Sequence, residues 1–270
     1  IYQVEGGGRE VTGLVCTVGV DGLLDGTIRS HELTRRDKEE DRTRHIDVVN
    51  AQTGLVFLFY RDEGGIGRGI GDVVPRDSPP VARVDAGNGT VHQVYRIEDP
   101  AAIDRAARLL LPLGRLYIAD GHHRAAAARN VALARREEGR GGTEAGRFMA
   151  VLFPHDQVEI HGYSRLVADL AGMAPEAFLG CISREFNLRR VTPVGQAEFR
   201  AGGGSGVVRL FRMYLAGQWY ELRRPREPSV PGAAPLLDVQ VLQDRLLGPL
   251  LGIRDPRDDP RLQFLGGSRP

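Results

Sequence analysis

The residues best suited to chemistry form one short block, Asp120-Gly121-His122-His123-Arg124. A β-prone apolar run precedes the block and an alanine-rich segment of high helix propensity follows it, so we predict a strand, a tight turn at the glycine and the start of a helix. The N-terminus of a helix presents unpaired backbone N–H groups and carries about +0.5 of an elementary charge. With histidine and arginine side chains beside it, such a terminus binds anions, and the pattern predicts a phosphate site.

A purely structural explanation of the same block is that Asp120 caps the helix while the two histidines cap or pack locally. Two adjacent histidines cannot share one face of a helix, and a cap requires neither of them nor the arginine. The composition of the block therefore favours a functional site, although it does not by itself name the reaction.

A second candidate is segment 31–47, the most charged part of the chain, where both signs are mixed and apolar residues are few. One interpretation is a solvated helix with ion pairs at three- and four-residue spacing, N-capped by Thr34. The other is a catalytic segment in which Glu32 acts as a general base and nearby cations clamp a phosphate or a carboxylate. Those cations are Arg36, Lys38 and Arg42.

The composition is that of a globular protein, with 41% hydrophobic and 26% charged residues among 270. A formal charge of +1 provides no global attraction to nucleic acid or to an anionic membrane, and we expect neither as a partner. No apolar run is long enough to predict a transmembrane helix. The only cysteines, Cys16 and Cys181, are far apart and lie outside any Cys-x-x-Cys spacing. They indicate buried thiols in a reducing cytoplasm rather than a zinc site or a disulfide.

Around these segments, β-prone runs alternate with helical patterns, which predicts an α+β fold with mixed sheets and packed helices. The glycine-rich stretch 64–71 fits no nucleotide-binding fingerprint and is predicted to be a mobile surface loop. The other predicted elements are a hairpin of 1–4 with 11–18, a buried strand at 55–60, a helix at 100–111, a hairpin of 148–153 with 158–167, a helix at 175–186, a hairpin at 207–222 and a helix at 236–251.

Several blocks along the chain together resemble one bacterial family. They are Arg29-Ser30-His31-Glu32-x-Thr34, Asp37-Lys38-Glu39-x-Asp41-Arg42, Asn50-Ala51-Gln52-Thr53-Gly54, Tyr117-Ile118-Ala119-Asp120-Gly121-His122-His123-Arg124, Leu237-Asp238-Val239-x-x-Leu242-Gln243-Asp244 and Phe264-Leu265-Gly266-Gly267. They resemble the family called domain of unknown function 1015 over essentially the whole chain. Members of that family carry a further N-terminal segment, whereas this chain opens at Ile1 inside a strand pattern. We therefore expect a fragment or a processed chain, which leaves open that part of the substrate site lies outside it.

The family is similar to the ParB N-terminal and sulfiredoxin fold, whose phosphate-binding signature is Gly-x-x-Arg-x-x-x-Ala at a helix start. Gly121, Arg124 and Ala128 occupy those places. The resemblance implies a ParB/sulfiredoxin-like core at 1–170 and a C-terminal α+β region at 171–270 packed on it. His122 stands where sulfiredoxin has its reactive cysteine, so thiol chemistry is not expected.

The superfamily includes free L-serine kinases that use ADP or ATP. The resemblance therefore implies a cytoplasmic kinase that transfers a phosphoryl group from a nucleotide to the hydroxyl of a serine-like amino acid. In those enzymes the acidic residue of a His-Glu pair is the base, which here is Glu32, with His31 orienting it. The implied catalytic residues are Glu32, His31 and His123. The implied binding residues are Asp120, Gly121, His122, His123, Arg124 and Arg42 for the nucleotide, Thr34, Arg36 and Lys38 for the acceptor, and Asp120 and Asp41 for Mg²⁺.

Two other functions stay open on the residues alone. One is a nucleotide-binding regulatory module that uses the same phosphate pocket without acceptor chemistry, as ParB-type domains use a nucleotide to change their partners. The other is a metal-dependent hydrolase built on His31, His122 and His123, which is less favoured because adjacent histidines rarely ligate one metal. The sequence does not specify the nucleotide, the acceptor or the number of chains, and a homodimer is left open.

Overall fold

The computed structural model describes residues 1–31, 34–73, 78–159, 163–192, 208–228, 236–256 and 258–266. The chain divides into two compact units, Ile1–Ile160 and His161–Pro270. The fold is α+β with mixed sheets, as predicted, because helices and strands occur throughout and strand pairs of both directions are present. No described helix combines the length and the apolar character needed to cross a membrane.

A mixed eight-stranded sheet is the frame of the first unit. Its strands are β1 (Tyr2–Gly6), β2 (Arg9–Gly19), β3 (Ile28–Arg29), β4 (Val56–Tyr60), β5 (Ala82–Asp85), β6 (Thr90–Val94), β7 (Leu116–Asp120) and β8 (Arg147–Pro154). They lie in the order β3-β7-β4-β8-β2-β1-β6-β5. β3 with β7 and β4 with β8 are parallel pairs, and the remaining neighbours are antiparallel. The carboxyl ends of β3 and β7 therefore meet at one end of the sheet, beside the amino end of β4.

The described part of this unit has five α-helices, namely α1 (Asp21–Leu24), α2 (Arg36–Val49), α3 (Ile66–Gly71), α4 (Pro100–Leu110) and α5 (His122–Glu137). A 3₁₀-helical turn (His155–Gln157) follows β8. Alternate residues of β4 are buried, as the two-residue period of a strand requires. The face of α5 that joins the same core consists of Ala125, Ala128 and Ala132, at helical spacing. Small side chains let α5 lie close to the sheet, which fixes the position of its N-terminus.

The glycine-rich stretch 64–71 is not a mobile surface loop, because Ile66–Gly71 forms α3. The carboxylate of Asp62 accepts hydrogen bonds from the backbone N–H groups of Ile66, at 2.8 Å, and Gly67, at 2.9 Å. Ile66 and Ile70, four residues apart on one face of the helix, are buried in the core. The surface-loop prediction was wrong because capping and burial outweigh the low helix propensity of glycine.

β8 does not form a hairpin with the strand that follows it. It pairs with β2 on one side and with β4 on the other, so both of its edges already carry ladder hydrogen bonds. The next strand, β9 (Tyr163–Val167), pairs antiparallel with β13 (Leu262–Gly266). The predicted hairpin of 1–4 with 11–18 is confirmed as β1 and β2, joined by two glycines with positive φ.

The second unit contains three further strands and several short helices. They are β10 (Asn187–Val191), β11 (Val208–Leu215), β12 (Gln218–Pro225), α6 (Pro175–Ile182), α7 (Asp238–Leu242), a π-helical turn (Gln243–Leu247) and α8 (Gly248–Leu251). β10, β12 and β11 form an antiparallel sheet, and the predicted hairpin at 207–222 is confirmed by β11 and β12. The predicted helix at 236–251 is confirmed as three consecutive helical segments that begin at Asp238.

The tail motif Leu237-Asp238-Val239 has a structural role in this unit. The buried guanidinium of Arg209 donates to the Asp238 carboxylate at 2.5 Å and to the Glu227 carboxylate at 2.9 Å. A buried arginine requires such partners because an unpaired charge away from water is costly. Asp238 is thereby explained by the ion pairs that fix the start of α7.

Candidate functional site

The junction between β7 and α5 has the predicted strand, turn and helix. β7 ends at Asp120, α5 begins at His122, and Gly121 between them is the N-cap, with φ of +94°. A side chain would be strained in that conformation, and a Cβ on Gly121 would lie 2.9 Å from Nη2 of Arg124. Glycine is therefore needed at position 121 for two reasons: the backbone conformation of the turn and the close approach of the Arg124 side chain.

Asp120 does not cap α5. Its Oδ2 accepts a hydrogen bond from Nη2 of Arg124 at 2.8 Å, so the carboxylate is engaged by a side chain one turn further on. Within the described ranges, no side chain accepts from the backbone N–H of His123 or Arg124. The N-terminus of α5 is thus open to an anion at these two N–H groups, with the Arg124 guanidinium beside them.

His122 is buried beneath this junction. Its ring meets the ring of His31, which follows β3, edge to face at a centroid distance of 4.5 Å. Burial, and then the electrostatic effect of the neighbouring His31 and His123, lower the pKa of His122 to about 4, although Asp120 opposes the shift. His122 is therefore neutral at pH 7 and joins the two predicted motifs through packing rather than charge.

His123 connects the same junction to the segment before α2. Its Nε2 accepts a hydrogen bond from the backbone N–H of Arg35 at 3.1 Å, which requires that nitrogen to be unprotonated. The N-cap of α2 is Arg35, not Thr34 as predicted. The Thr34 hydroxyl instead donates to the carboxylate of Glu39, because Thr34 lies one residue too early to reach the first N–H groups of the helix.

Glu39 fastens α2 to α5. Its Oε1 accepts from Nδ2 of Asn130 at 2.7 Å and lies 3.5 Å from Nη2 of Arg129. Partial burial acts to raise the pKa of Glu39, but the hydrogen bonds from Thr34 and Asn130 and the charge of Arg129 outweigh it, and the net pKa is lowered. The carboxylate therefore stays charged and holds the segment around Thr34 close to the start of α5.

A small cleft opens on the other side of Arg124, with a volume of about 150 Å³. A Cβ on Gly54 would lie 3.3 Å from Cδ of Arg124, so glycine at this position leaves room for the arginine. Gln52, in contrast, is structural, because its amide bonds the backbone of β8 at Arg147 and Met149. The cleft is lined by Arg42, His45, Ile46, Gln52, Thr53, Gly54, Val56 and Arg124.

The structure brings most of the predicted residues together, but not all of them. Glu32, the predicted base, lies outside the described residues. Arg36 and Lys38 are exposed on α2 and do not line the cleft, whereas Arg42 does. Asp41, also exposed, pairs with Arg44 at 3.7 Å.

The described parts of the chain contain no cluster of three His, Cys, Asp or Glu side chains that could hold a metal ion. The adjacent pair His122 and His123 therefore does not combine with His31 into a metal-binding group. The sequence reasoning missed His45, Thr53 and Gly54 as cleft residues. Thr53 and Gly54 belong to the Asn50-Ala51-Gln52-Thr53-Gly54 block, which contributed to the family resemblance but was not assigned to the site, and His45 had no such signal.

A family model described as "Protein of unknown function (DUF1015)" matches residues 1–242, which is most of the chain. Searches of curated proteins and of solved structures found no match.

Proposed function

The chain belongs to the DUF1015 family, and from that premise and the geometry of the β7–α5 junction we propose that it is a nucleotide-dependent kinase. The proposed reaction transfers a phosphoryl group from ATP or ADP to the hydroxyl of a small serine-like acceptor. We also propose that the first unit is related to the ParB/sulfiredoxin core. The signature Gly121, Arg124 and Ala128 supports that relation, because it coincides with the open helix terminus.

The observation that carries the proposal is the combination of an open helix N-terminus with an arginine folded over its glycine. The terminus supplies backbone N–H donors and a partial positive charge, and Arg124 adds a guanidinium within 2.8 Å of Asp120. The packing of His31 against His122 brings the end of β3 to the same junction. Glu32, the proposed base, is the next residue after His31 in the sequence.

The proposed roles follow from the charge on a transferring phosphoryl group. Catalysis of such transfers rests mainly on positioning and on cationic stabilisation of the equatorial oxygens, which suits Arg124 and the N–H groups of the first turn of α5. Glu32 is the proposed base for the acceptor hydroxyl, with His31 orienting it. His123 holds the segment at Arg35 through its Nε2 and has Nδ1 left to donate to an oxygen of the substrate.

Mg²⁺ is part of the proposal as a charge that neutralises the phosphate oxygens. In nucleotide sites it is held by one or two carboxylates together with the phosphates themselves. Asp120, three-quarters exposed at the mouth of the junction, is the proposed protein ligand, and Asp41 is the second. An exposed carboxylate paired with one arginine fits this role, because water and phosphate oxygens can complete the coordination.

Phosphorus NMR tests the proposal directly. The protein is incubated with Mg²⁺ and ATP or ADP, with and without L-serine and other small hydroxyl acceptors, and a new phosphomonoester resonance is sought. We expect Arg124→Gln to reduce its rate of appearance about 100-fold or more, as loss of one transition-state donor does. Arg140→Gln is the matched control, because Arg140 is an exposed arginine that pairs with Glu138 beyond the end of α5.

Each outcome distinguishes between the functions. Product that depends on Arg124 and on an acceptor, and not on Arg140, supports the kinase. Nucleotide-dependent shifts of protein resonances without product from any acceptor would replace it with the regulatory binding module. Equal loss in both arginine variants would show that the junction does not hold the phosphates.

A further inference from the structure

We infer that the cleft beside Arg124 is the acceptor subsite, and that it is built for a small hydroxy acid in preference to an amino acid. The inference rests on the proposed function, which requires an acceptor next to the phosphates. It also names a substrate class, and it assigns the acceptor to the cleft residues instead of the exposed pair Arg36 and Lys38. Arg42, which the family resemblance assigns to the nucleotide, is here assigned to the acceptor.

The size of the cleft limits what can occupy it. A cavity of about 150 Å³ holds a molecule the size of benzene, which has six non-hydrogen atoms. Drug-sized ligands and cofactors occupy pockets of about 300–1,000 Å³. A nucleoside would therefore extend well beyond the cleft, whereas an acid of three or four carbon atoms fits within it.

The lining residues specify the chemistry of that molecule. Two arginines, Arg42 and Arg124, approach from different elements and can pair with a carboxylate. Ile46 and Val56 supply apolar walls for a short carbon chain, and the Thr53 side chain can hydrogen-bond a hydroxyl. Inorganic phosphate would satisfy the arginines but would leave the apolar walls without a partner.

The charge of the cleft disfavours an ammonium group. Among the described residues that line it there is no Asp or Glu, while two arginines and His45 do line it. An amino acid would bring its ammonium group into this cationic surrounding, and the neighbouring carboxylate of Asp120 is already paired with Arg124. A hydroxy acid presents the same carboxylate and hydroxyl without that repulsion, which is why the cleft favours it.

Arg124 connects this subsite to the phosphates. Its Nη2 packs over Gly121 at the start of α5, while its Cδ and its Nη1 lie beside Gly54 at the wall of the cleft. An acid held by Arg42 and Arg124 therefore lies next to the open helix terminus.

Calorimetry with the intact chain tests the inference. D-glycerate, L-serine, ethanolamine and inorganic phosphate are titrated in the presence of MgCl₂, and ADP is titrated separately. We expect D-glycerate to bind at least tenfold more tightly than L-serine, and ethanolamine, which lacks the carboxylate, not to bind. Arg42→Gln should weaken D-glycerate at least tenfold while changing ADP affinity less than twofold.

Two further variants complete the experiment. Arg44→Gln is the matched control, because Arg44 is an exposed arginine of the same helix that does not line the cleft, and its glycerate affinity should be unchanged. Gly54→Ala adds a methyl group 3.3 Å from the stem of Arg124 and should also weaken glycerate, with a normal circular dichroism spectrum.

Four results would overturn the inference: tighter binding of L-serine than of glycerate, equal losses in Arg42→Gln and Arg44→Gln, a loss of ADP affinity in Arg42→Gln as large as that of glycerate, or phosphate binding more tightly than glycerate. Failure of the kinase proposal would give a different set of results. In that case glycerate still binds through Arg42, but no phosphorylated product forms from it or from serine.

Discussion

Two strand-to-helix junctions in the first unit differ in how the start of the helix is satisfied. At the β4–α3 junction the carboxylate of Asp62 accepts from two backbone N–H groups of α3 and closes that terminus. At the β7–α5 junction Asp120 turns to Arg124 instead, and the N-cap is a glycine without a side-chain acceptor. Both junctions contain an acidic residue and glycine with positive φ, so composition alone does not separate them.

The difference lies in where the acidic residue stands relative to the helix. Asp62 precedes the first residue of α3 by four positions, which lets its side chain curl back over the terminus. Asp120 precedes α5 by two positions and is the last residue of its strand. A helix terminus whose N–H groups are already bonded cannot donate to an anion, whereas an open terminus beside an arginine can bind one. The more glycine-rich of the two junctions is therefore structural, and the other is the candidate site.

The largest expected contrast comes from adding one methyl group at each N-cap glycine. Gly121→Ala and Gly65→Ala both place alanine at positive φ, +94° and +76°, which costs roughly 1–2 kcal/mol of stability in each case. Only at Gly121 does the new Cβ meet Arg124, at 2.9 Å, whereas at Gly65 it meets nothing within 4 Å. We expect ADP affinity to fall at least tenfold for Gly121→Ala and to be unchanged for Gly65→Ala.

Urea denaturation and ADP titration of the same two samples separate the effects. Similar losses of stability with different losses of affinity would place the anion site at α5. If both variants bound ADP as the unsubstituted chain does, the open terminus would not be the nucleotide site. A loss in Gly65→Ala alone would reverse the comparison and assign the site to α3.

The second contrast is a dependence of stability on pH that originates at the open junction. Folding lowers the pKa of His122 from 6.5 to about 4, through burial first and then His31 and His123, against the pull of Asp120. Between these values the unfolded chain binds more protons than the folded one, so acidification destabilises the fold. After allowance for partial solvent screening, the loss between pH 6.5 and 4 is about 2 kcal/mol.

The measurement is the slope of unfolding free energy against pH. We expect His122→Asn, which cannot titrate, to have a flatter slope than the unsubstituted chain whatever its absolute stability. An unchanged slope in His122→Asn would mean that His122 is not buried as a neutral ring in the folded protein.

The β7–α5 junction could be predicted because its signals are local. An apolar run, a glycine and a series of alanines stand consecutively, and each specifies its own element without help from distant residues. The hairpin of β1 and β2 was predictable for the same reason, since its turn is a pair of glycines between two β-prone runs.

The features that were missed depend on distant parts of the chain. α3 exists because Ile66 and Ile70 find a core made by the sheet, and β9 finds its partner in β13 about a hundred residues later. The cleft forms only when α2 and the loop at Gly54 meet Arg124. The residue pattern of a single segment contains no information on its contacts with distant segments. In addition, α2 is exposed and highly charged, and it has no apolar stripe from which its position against the sheet could be inferred.

The smallest contrast compares the two acidic residues directly. Asp62→Ala removes the acceptor for two N–H groups of α3 and should cost about 1 kcal/mol, as loss of an N-cap does. Asp120→Ala removes a carboxylate that is three-quarters exposed and makes one ion pair, which should cost less than about 0.5 kcal/mol. Urea denaturation at pH 7 checks both values.

The carboxylate of Asp120 pairs with Arg124 and does not cap the helix. We therefore expect Asp120→Ala to change the Mg²⁺ dependence of ADP binding more than the free energy of unfolding. Equal destabilisation by the two substitutions would mean that Asp120 also closes its helix, and the distinction between a structural and a functional junction would then be lost.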